Sequence, residues 1–221
     1  MIELENYLSA LQQALAAAFG SRLVYLGLQG SYLRGEAGPD SDLDVVVILD
    51  GLEVSDLDTY RSILHKLPHE EKSCGFLCGR EELARWNPLE ICHLLHSTRD
   101  LLGSLSQLVP AYTREDVENY CKLSLNNLYH LLCHSYVHGD PETAGVWLKE
   151  AYKGAFFILQ NLHYLQTGHF PTSRADALGC LKGEDRALLE TGMKLAGGEP
   201  LPEKACFQQL FDWCAGWMQK L

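Results

Sequence analysis

Two aspartates two residues apart, Asp42 and Asp44, open an apolar run that continues through Val45, Val46, Val47, Ile48 and Leu49. A β-branched run of this kind has strand character, and residues two apart on a strand share a face. Both carboxylates therefore point the same way, while Leu43 and Val45 face a core. Two neighbouring carboxylates repel unless a cation joins them, and hard oxygen ligands suit Mg2+. Ten residues upstream of this pair stands Gly30-Ser31, at the end of a second short apolar run over 22–28. The glycine permits close approach of a phosphate. The serine hydroxyl and the backbone N–H groups at the start of a short helix over Tyr32–Arg34 suit its oxygens. Arg34 reads either as a phosphate partner or as a loop arginine facing water. The intervening stretch Gly35 to Ser41, with Gly38, Pro39 and Asp40, is built of turn-formers.

An apolar strand, Gly-Ser, about ten residues and Asp-x-Asp together resemble the signature of the DNA-polymerase-β-like nucleotidyltransferase superfamily. The signature covers residues 24–49. The resemblance implies an enzyme in which two Mg2+ ions position a nucleoside triphosphate for in-line nucleotidyl transfer, with pyrophosphate leaving. It also implies a third carboxylate on a later strand. Glu90, an acid inside the apolar stretch 89–95 that reads as a strand, is the candidate. In aminoglycoside adenylyltransferases a similarly placed acid completes the site and can serve as general base. Asp100-Leu101-Leu102-Gly103 resembles the segment leading into that family's helical domain. By the same resemblance the helical domain closes over the triphosphate and helps bind the acceptor. Lys153 is its candidate phosphate contact, with an ion-paired surface lysine as the alternative. The implied assignment gives Asp42, Asp44 and Glu90 to metal and catalysis, and Gly30, Ser31, Arg34 and Lys153 to the nucleotide. The function implied is transfer of a nucleoside monophosphate, AMP foremost, to a hydroxyl of a small molecule such as an antibiotic. Two alternatives stay open: a protein-AMPylating, antitoxin-like regulator, and a non-catalytic nucleotide sensor. The helical half shows no Arg-x4–6-His ribonuclease motif of a fused toxin.

The bulk composition bounds the partners. A formal charge of -11, from 18 basic against 29 acidic residues, with the basic ones dispersed, argues against nucleic acid as substrate. A cationic small molecule is electrostatically welcome. The eight cysteines form no CxxC pair and sit among apolar neighbours, as small buried hydrophobes do in a reducing compartment. The opening residues Met1-Ile2-Glu3-Leu4-Glu5 do not resemble a secretion signal, and no apolar run reaches bilayer-spanning length. The expectation is a cytoplasmic protein.

The elements that must position the site follow from periodicity. Leu4, Leu8, Leu11 and Leu15 mark a helix over 3–19 that ends at Gly20. Ser55 with Asp58 predicts a helix start running to about Lys66, residues 74–78 a strand, and 80–86 a helix. Beyond Pro110 the pattern turns wholly helical. Thr113 with Asp116 caps a helix to about Tyr136, Asp140-Pro141 opens one to Thr167, and Ser173 with Asp176 opens a third. Two more follow, separated by Gly197-Gly198. The fold class is α+β: a nucleotidyltransferase domain with a small mixed sheet over 1–107, then an all-α helical bundle over 108–221. His130, His134 and His138 recur at i, i+4 and i+8 along one helix face. Two histidines at that spacing can share a metal, although a straight helix cannot bring all three to one ion. A polar seam with at least one member reaching the acceptor is the expectation for them.

Overall fold

The structure, a computed structural model, describes residues 2–221 apart from the side chain of Pro141, so the expected role of Pro141 as a first helical residue is not judged from its ring; Met1 lies outside the described residues. The chain divides into two compact units, one ending at Ala111 and the other starting at Tyr112.

The first unit contains α1 (Leu4–Phe19), β1 (Leu23–Leu28), α2 (Gly30–Arg34), β2 (Leu43–Leu49), α3 (Val54–Leu64), β3 (Ser73–Gly79), α4 (Arg80–Leu83), α5 (Pro88–His96) and β4 (Arg99–Leu102). The four strands form one mixed sheet in the order β3-β2-β1-β4. β1 is antiparallel to both β2 and β4, whereas β2 and β3 run parallel. A parallel pair needs a crossover connection, and α3 supplies it.

Alternation along the strands fills two cores. Leu26, Leu28, Leu43, Val45, Val47 and Leu49 pack with Leu8, Leu11 and Leu15 of α1 and Ile63 of α3. Tyr25, Val46, Ile48 and Cys78 pack on the other face with Leu83 of α4, against Phe76, Trp86, Leu94 and Leu95. A register irregularity between Leu23 and Tyr25 breaks the alternation, so that Val24 and Tyr25 both serve the second cluster. Arg22 clamps the start of α3, donating to both oxygens of Asp56 at 3.0 and 2.6 Å and to the Gly51 carbonyl at 2.9 Å.

Two local expectations are corrected. The helix over 54–64 is opened by a capping box between Glu53 and Asp56, two residues upstream of the Ser55–Asp58 pair. The predicted strand over 89–95 is the helix α5. Its start carries a capping asparagine followed by proline: the Asn87 side chain accepts from the Leu89 N–H at 3.2 Å, and Pro88 takes the first turn. The fourth strand is supplied instead by Arg99–Leu102, which pairs with β1.

The second unit is all helical: α6 (Arg114–His138), α7 (Ala144–Thr167), α8 (Arg174–Cys180), α9 (Gly183–Ala196) and α10 (Glu203–Lys220). The expected capping pairs at Thr113–Asp116 and Ser173–Asp176 are both formed. The helix expected from Pro141 starts at Ala144, after a 3-10 turn over Pro141–Thr143. Asp185 of α9 accepts two indole N–H groups on one oxygen, from Trp213 at 2.7 Å and Trp217 at 2.9 Å, which ties α10 to α9. Among the described residues no helix is long and apolar enough to cross a membrane, and no disulfide joins the cysteines.

Candidate active site

The two motifs meet at the ends of β1 and β2. The Gln29 N–H donates to the Asp44 carbonyl at 2.9 Å, so the chain leaving β1 is bonded to the start of β2. The next residue, Gly30, has φ +71 and lies against the Asp44 side chain. A Cβ built there would stand 1.8 Å from Asp44 Oδ2. Glycine is therefore required twice, for backbone conformation and for room. α2 closes at Gly35 with φ +68, and the Glu36 N–H donates to the Ser31 carbonyl at 2.9 Å. Arg34 at the end of α2 pairs with Glu36 at 2.9 Å. The loop between the motifs is pinned by mutual Gly38–Ser41 bonds and by the Lys72 ammonium donating to the Pro39 carbonyl. Gly30, Ser31, Arg34 and Asp44 thus belong to one local assembly.

Asp42 is exposed just ahead of β2, and Asp44 is half-buried within it. Asp44 follows the parity of Val46 and Ile48, and so lies on the sheet face of the second core cluster. Its partner in the parallel register is Cys74. The thiol is bonded to the Asp44 carboxylate. Burial first, and then the negative charges of Asp44 and Asp42, push its pKa up. β3 (Ser73-Cys74-Gly75-Phe76-Leu77-Cys78-Gly79) contains no acid, so the strand beside Asp44 offers a thiol.

Glu90 stands elsewhere. It is exposed in the first turn of α5, and its carboxylate accepts from the Trp86 indole N–H at 2.5 Å. The Trp86 ring packs edge-on to Phe76 at 5.2 Å, which relates Glu90 to the same sheet face. Among the described residues, however, no three acids, histidines or cysteines come together as a metal-holding group. Asp42, Asp44 and Glu90 thus do not form a preassembled three-acid cluster among the described residues. The physical reason is the helical start at Asn87-Pro88, which places Glu90 in the first turn of a helix where a strand was expected.

α5 contributes groups that the motif reading overlooked. Burial, then the positive charge of Arg34, then His96, push the His93 imidazole down to about 4, so it is neutral at pH 7. Burial also lowers His96. Just beyond α5, Thr98 accepts from the Gln29 side chain at 2.7 Å, which links this segment to the residue preceding Gly30. The 89–95 misreading as a strand concealed these histidines; Asn87-Pro88 was the signal that would have exposed them.

Lys153 belongs to the second unit. It is exposed on α7, 3.5 Å from Glu150, and lines a small cavity with Lys149, Arg174, Tyr152 and Phe156. The Arg174 guanidinium lies 5.0 Å over the Phe156 ring in the same place. His130, His134 and His138 are all exposed on α6.

Residues 2–76, from α1 to within β3, match the family model described as a nucleotidyltransferase domain. This stretch contains Gly30, Ser31, Asp42, Asp44 and Cys74. The chain carries a nucleotidyltransferase domain. Among solved structures, that of spectinomycin adenyltransferase AAD(9) from Enterococcus faecialis with ATP and spectinomycin is similar. The TM-score is 0.57 at 13% identity, over 96% of this chain and 99% of that one. The likeness extends the shared fold beyond the nucleotidyltransferase domain, through the helical unit. No curated protein matches.

The site fits the metal chemistry that a nucleotidyltransferase domain implies. Mg2+ is commonly bound by one or two carboxylates together with substrate phosphates, with no all-protein cage. Asp42 and Asp44 supply the carboxylates. The bare Cα of Gly30 lets the Asp44 carboxylate sit directly against the turn, where any side chain would collide with Oδ2.

Proposed function

We propose that the chain transfers AMP from ATP to a hydroxyl of a small molecule of the aminocyclitol, aminoglycoside or lincosamide type, in the cytoplasm. The observation that carries this reading is Gly30 seated against the Asp44 carboxylate, which joins a phosphate-binding turn to a metal-binding pair. In this reading Asp42 and Asp44 hold two Mg2+ ions with the triphosphate. The metal would supply charge neutralisation and orientation of the phosphates. Gly30 and Ser31 bind phosphate oxygens. Arg34, and Lys153 from the helical unit, contact the triphosphate. The acceptor oxygen forms the new bond to the α-phosphorus as the bond to the bridging oxygen breaks and pyrophosphate leaves. Glu90 is the third acid of this scheme, and as general base it receives the acceptor proton.

Three features support this reading. The chain is acidic, with a formal charge of -11, so a cationic acceptor is favoured over a polyanion. The nucleotidyltransferase match covers the donor half of the site. The similar structure is of an adenyltransferase holding ATP and spectinomycin. The test is incubation with labelled ATP and Mg2+ against a panel including spectinomycin, aminoglycosides and lincosamides. Transfer to one member, lost in Asp42→Asn and Asp44→Asn, is the expected result. Mg·ATP binding without transfer to any of them removes the antibiotic acceptor. Mg·ATP binding that survives Asp44→Asn removes the site itself.

A further inference from the structure

The histidine row on α6 is left unused by the nucleotidyl chemistry, and it has its own geometry. His130, His134 and His138 are exposed, and the ring centroids are 6.0 Å apart for the first pair and 5.1 Å for the second. Two imidazoles sharing one tetrahedral ion, each at about 2.1 Å from nitrogen to zinc, place their ring centroids about 5 Å apart. The second pair already has that spacing. The first pair would have to close by roughly 1 Å to match such an ion.

The placement favours a cation for a second reason. His138 is the last residue of α6, and His134 lies one turn before it. The carbonyl end of a helix carries partial negative charge and favours cations in its last turn. Among the described residues neither imidazole is engaged by a carboxylate that would compete for its nitrogens.

We propose that His134 and His138 form a two-histidine site for a borderline transition-metal cation such as Zn2+, Ni2+ or Cu2+, with water completing the coordination. The ligand set selects against Mg2+ and Ca2+, which prefer oxygen, and favours Cu2+ over Ni2+ and Zn2+ in the usual order for nitrogen ligands. This site is distinct from the carboxylate pair of the first unit in both ligand chemistry and expected metal.

The test uses the full chain without an affinity tag, titrated with Ni2+ or Zn2+ by calorimetry in the presence of excess Mg2+. The expected result is a site that Mg2+ does not compete for. Its affinity falls on the order of tenfold or more in His134→Ala and in His138→Ala, as befits loss of a ligand. His130→Ala leaves it unchanged. Added Cu2+ should selectively broaden the imidazole resonances of His134 and His138 in NMR spectra, which reads the site without reference to any activity. Equal affinity in all three variants, displacement by Mg2+, or broadening centred on other histidines would overturn the proposal.

Discussion

Replacing Gly30 by alanine separates backbone strain from damage to the site. At φ +71 any L-residue bears the cost of the left-handed region, about 1–2 kcal/mol. The new Cβ would also stand 1.8 Å from Asp44 Oδ2, whereas real Cβ contacts are essentially never under 3.0 Å, so the two must part by at least 1.2 Å. The Gln29 N–H bond to the Asp44 carbonyl ties the two backbones together, so the carboxylate has to give way. A misplacement of about 1 Å at reacting groups costs on the order of a hundredfold in rate, equivalent to about 2.7 kcal/mol. Gly35 is the internal control. Its φ is +68, but nothing lies within 4 Å of a Cβ built there. Gly35→Ala should therefore lose about the same stability in a denaturant titration, roughly 1–2 kcal/mol, while keeping Mg·ATP binding. Gly30→Ala should lose that stability and, in addition, roughly a hundredfold in nucleotidyl transfer. Both quantities come from the same preparations, using denaturation and metal-dependent binding of a fluorescent ATP analogue alongside turnover. If the two variants bind and turn over alike, the contact between Gly30 and Asp44 does not govern the site, and the reasoning from that contact is wrong.

The remaining predictions concern the elements around the site. Asn87→Ala removes the side-chain cap of α5 and should cost about 1 kcal/mol of stability by chemical denaturation, with Asn87→Ser retaining most of it. His93 is neutral in the fold down to about 4, whereas an unfolded imidazole has its ordinary value of 6.5, so between those values the unfolded chain binds the extra proton. Its contribution is complete above 6.5 and is lost as pH falls, by about 2 kcal/mol between pH 7 and pH 5. Denaturant unfolding at the two pH values should show that slope, and His93→Gln should flatten it. Asp185→Leu leaves the Trp213 and Trp217 indoles without their acceptor and should cost about 2–4 kcal/mol, with altered tryptophan fluorescence. Asp185→Asn keeps an oxygen there and should cost less than half as much.

The architecture was legible wherever it rests on short-range pattern. The β-branched run through Val45–Leu49, the Thr113–Asp116 and Ser173–Asp176 caps and the Gly197-Gly198 break all act over a few residues, and each appears in the structure. Residues 89–95 are a short apolar-rich stretch, in which periodicity alone leaves strand and helix unresolved. The two residues before them held the answer. Asn87-Pro88 is the signal that Asp140-Pro141 was credited with, yet it opens α5 at once, while Asp140-Pro141 precedes a 3-10 turn. The neighbour of Asp44 lies beyond any such signal. It depends on β3 returning parallel to β2 across α3, in a register that pairs Asp44 with Cys74 and Val46 with Phe76. A slip of one residue would turn Cys74 to the opposite face and bring Ser73 or Gly75 alongside Asp44. That register is held by Phe76 and Cys78 in the second core cluster and by the close approach of Gly75 to the Val45 carbonyl, where a Cβ would stand 2.2 Å away. The thiol beside the carboxylate pair is thus a consequence of packing thirty residues away in sequence, which no local pattern encodes.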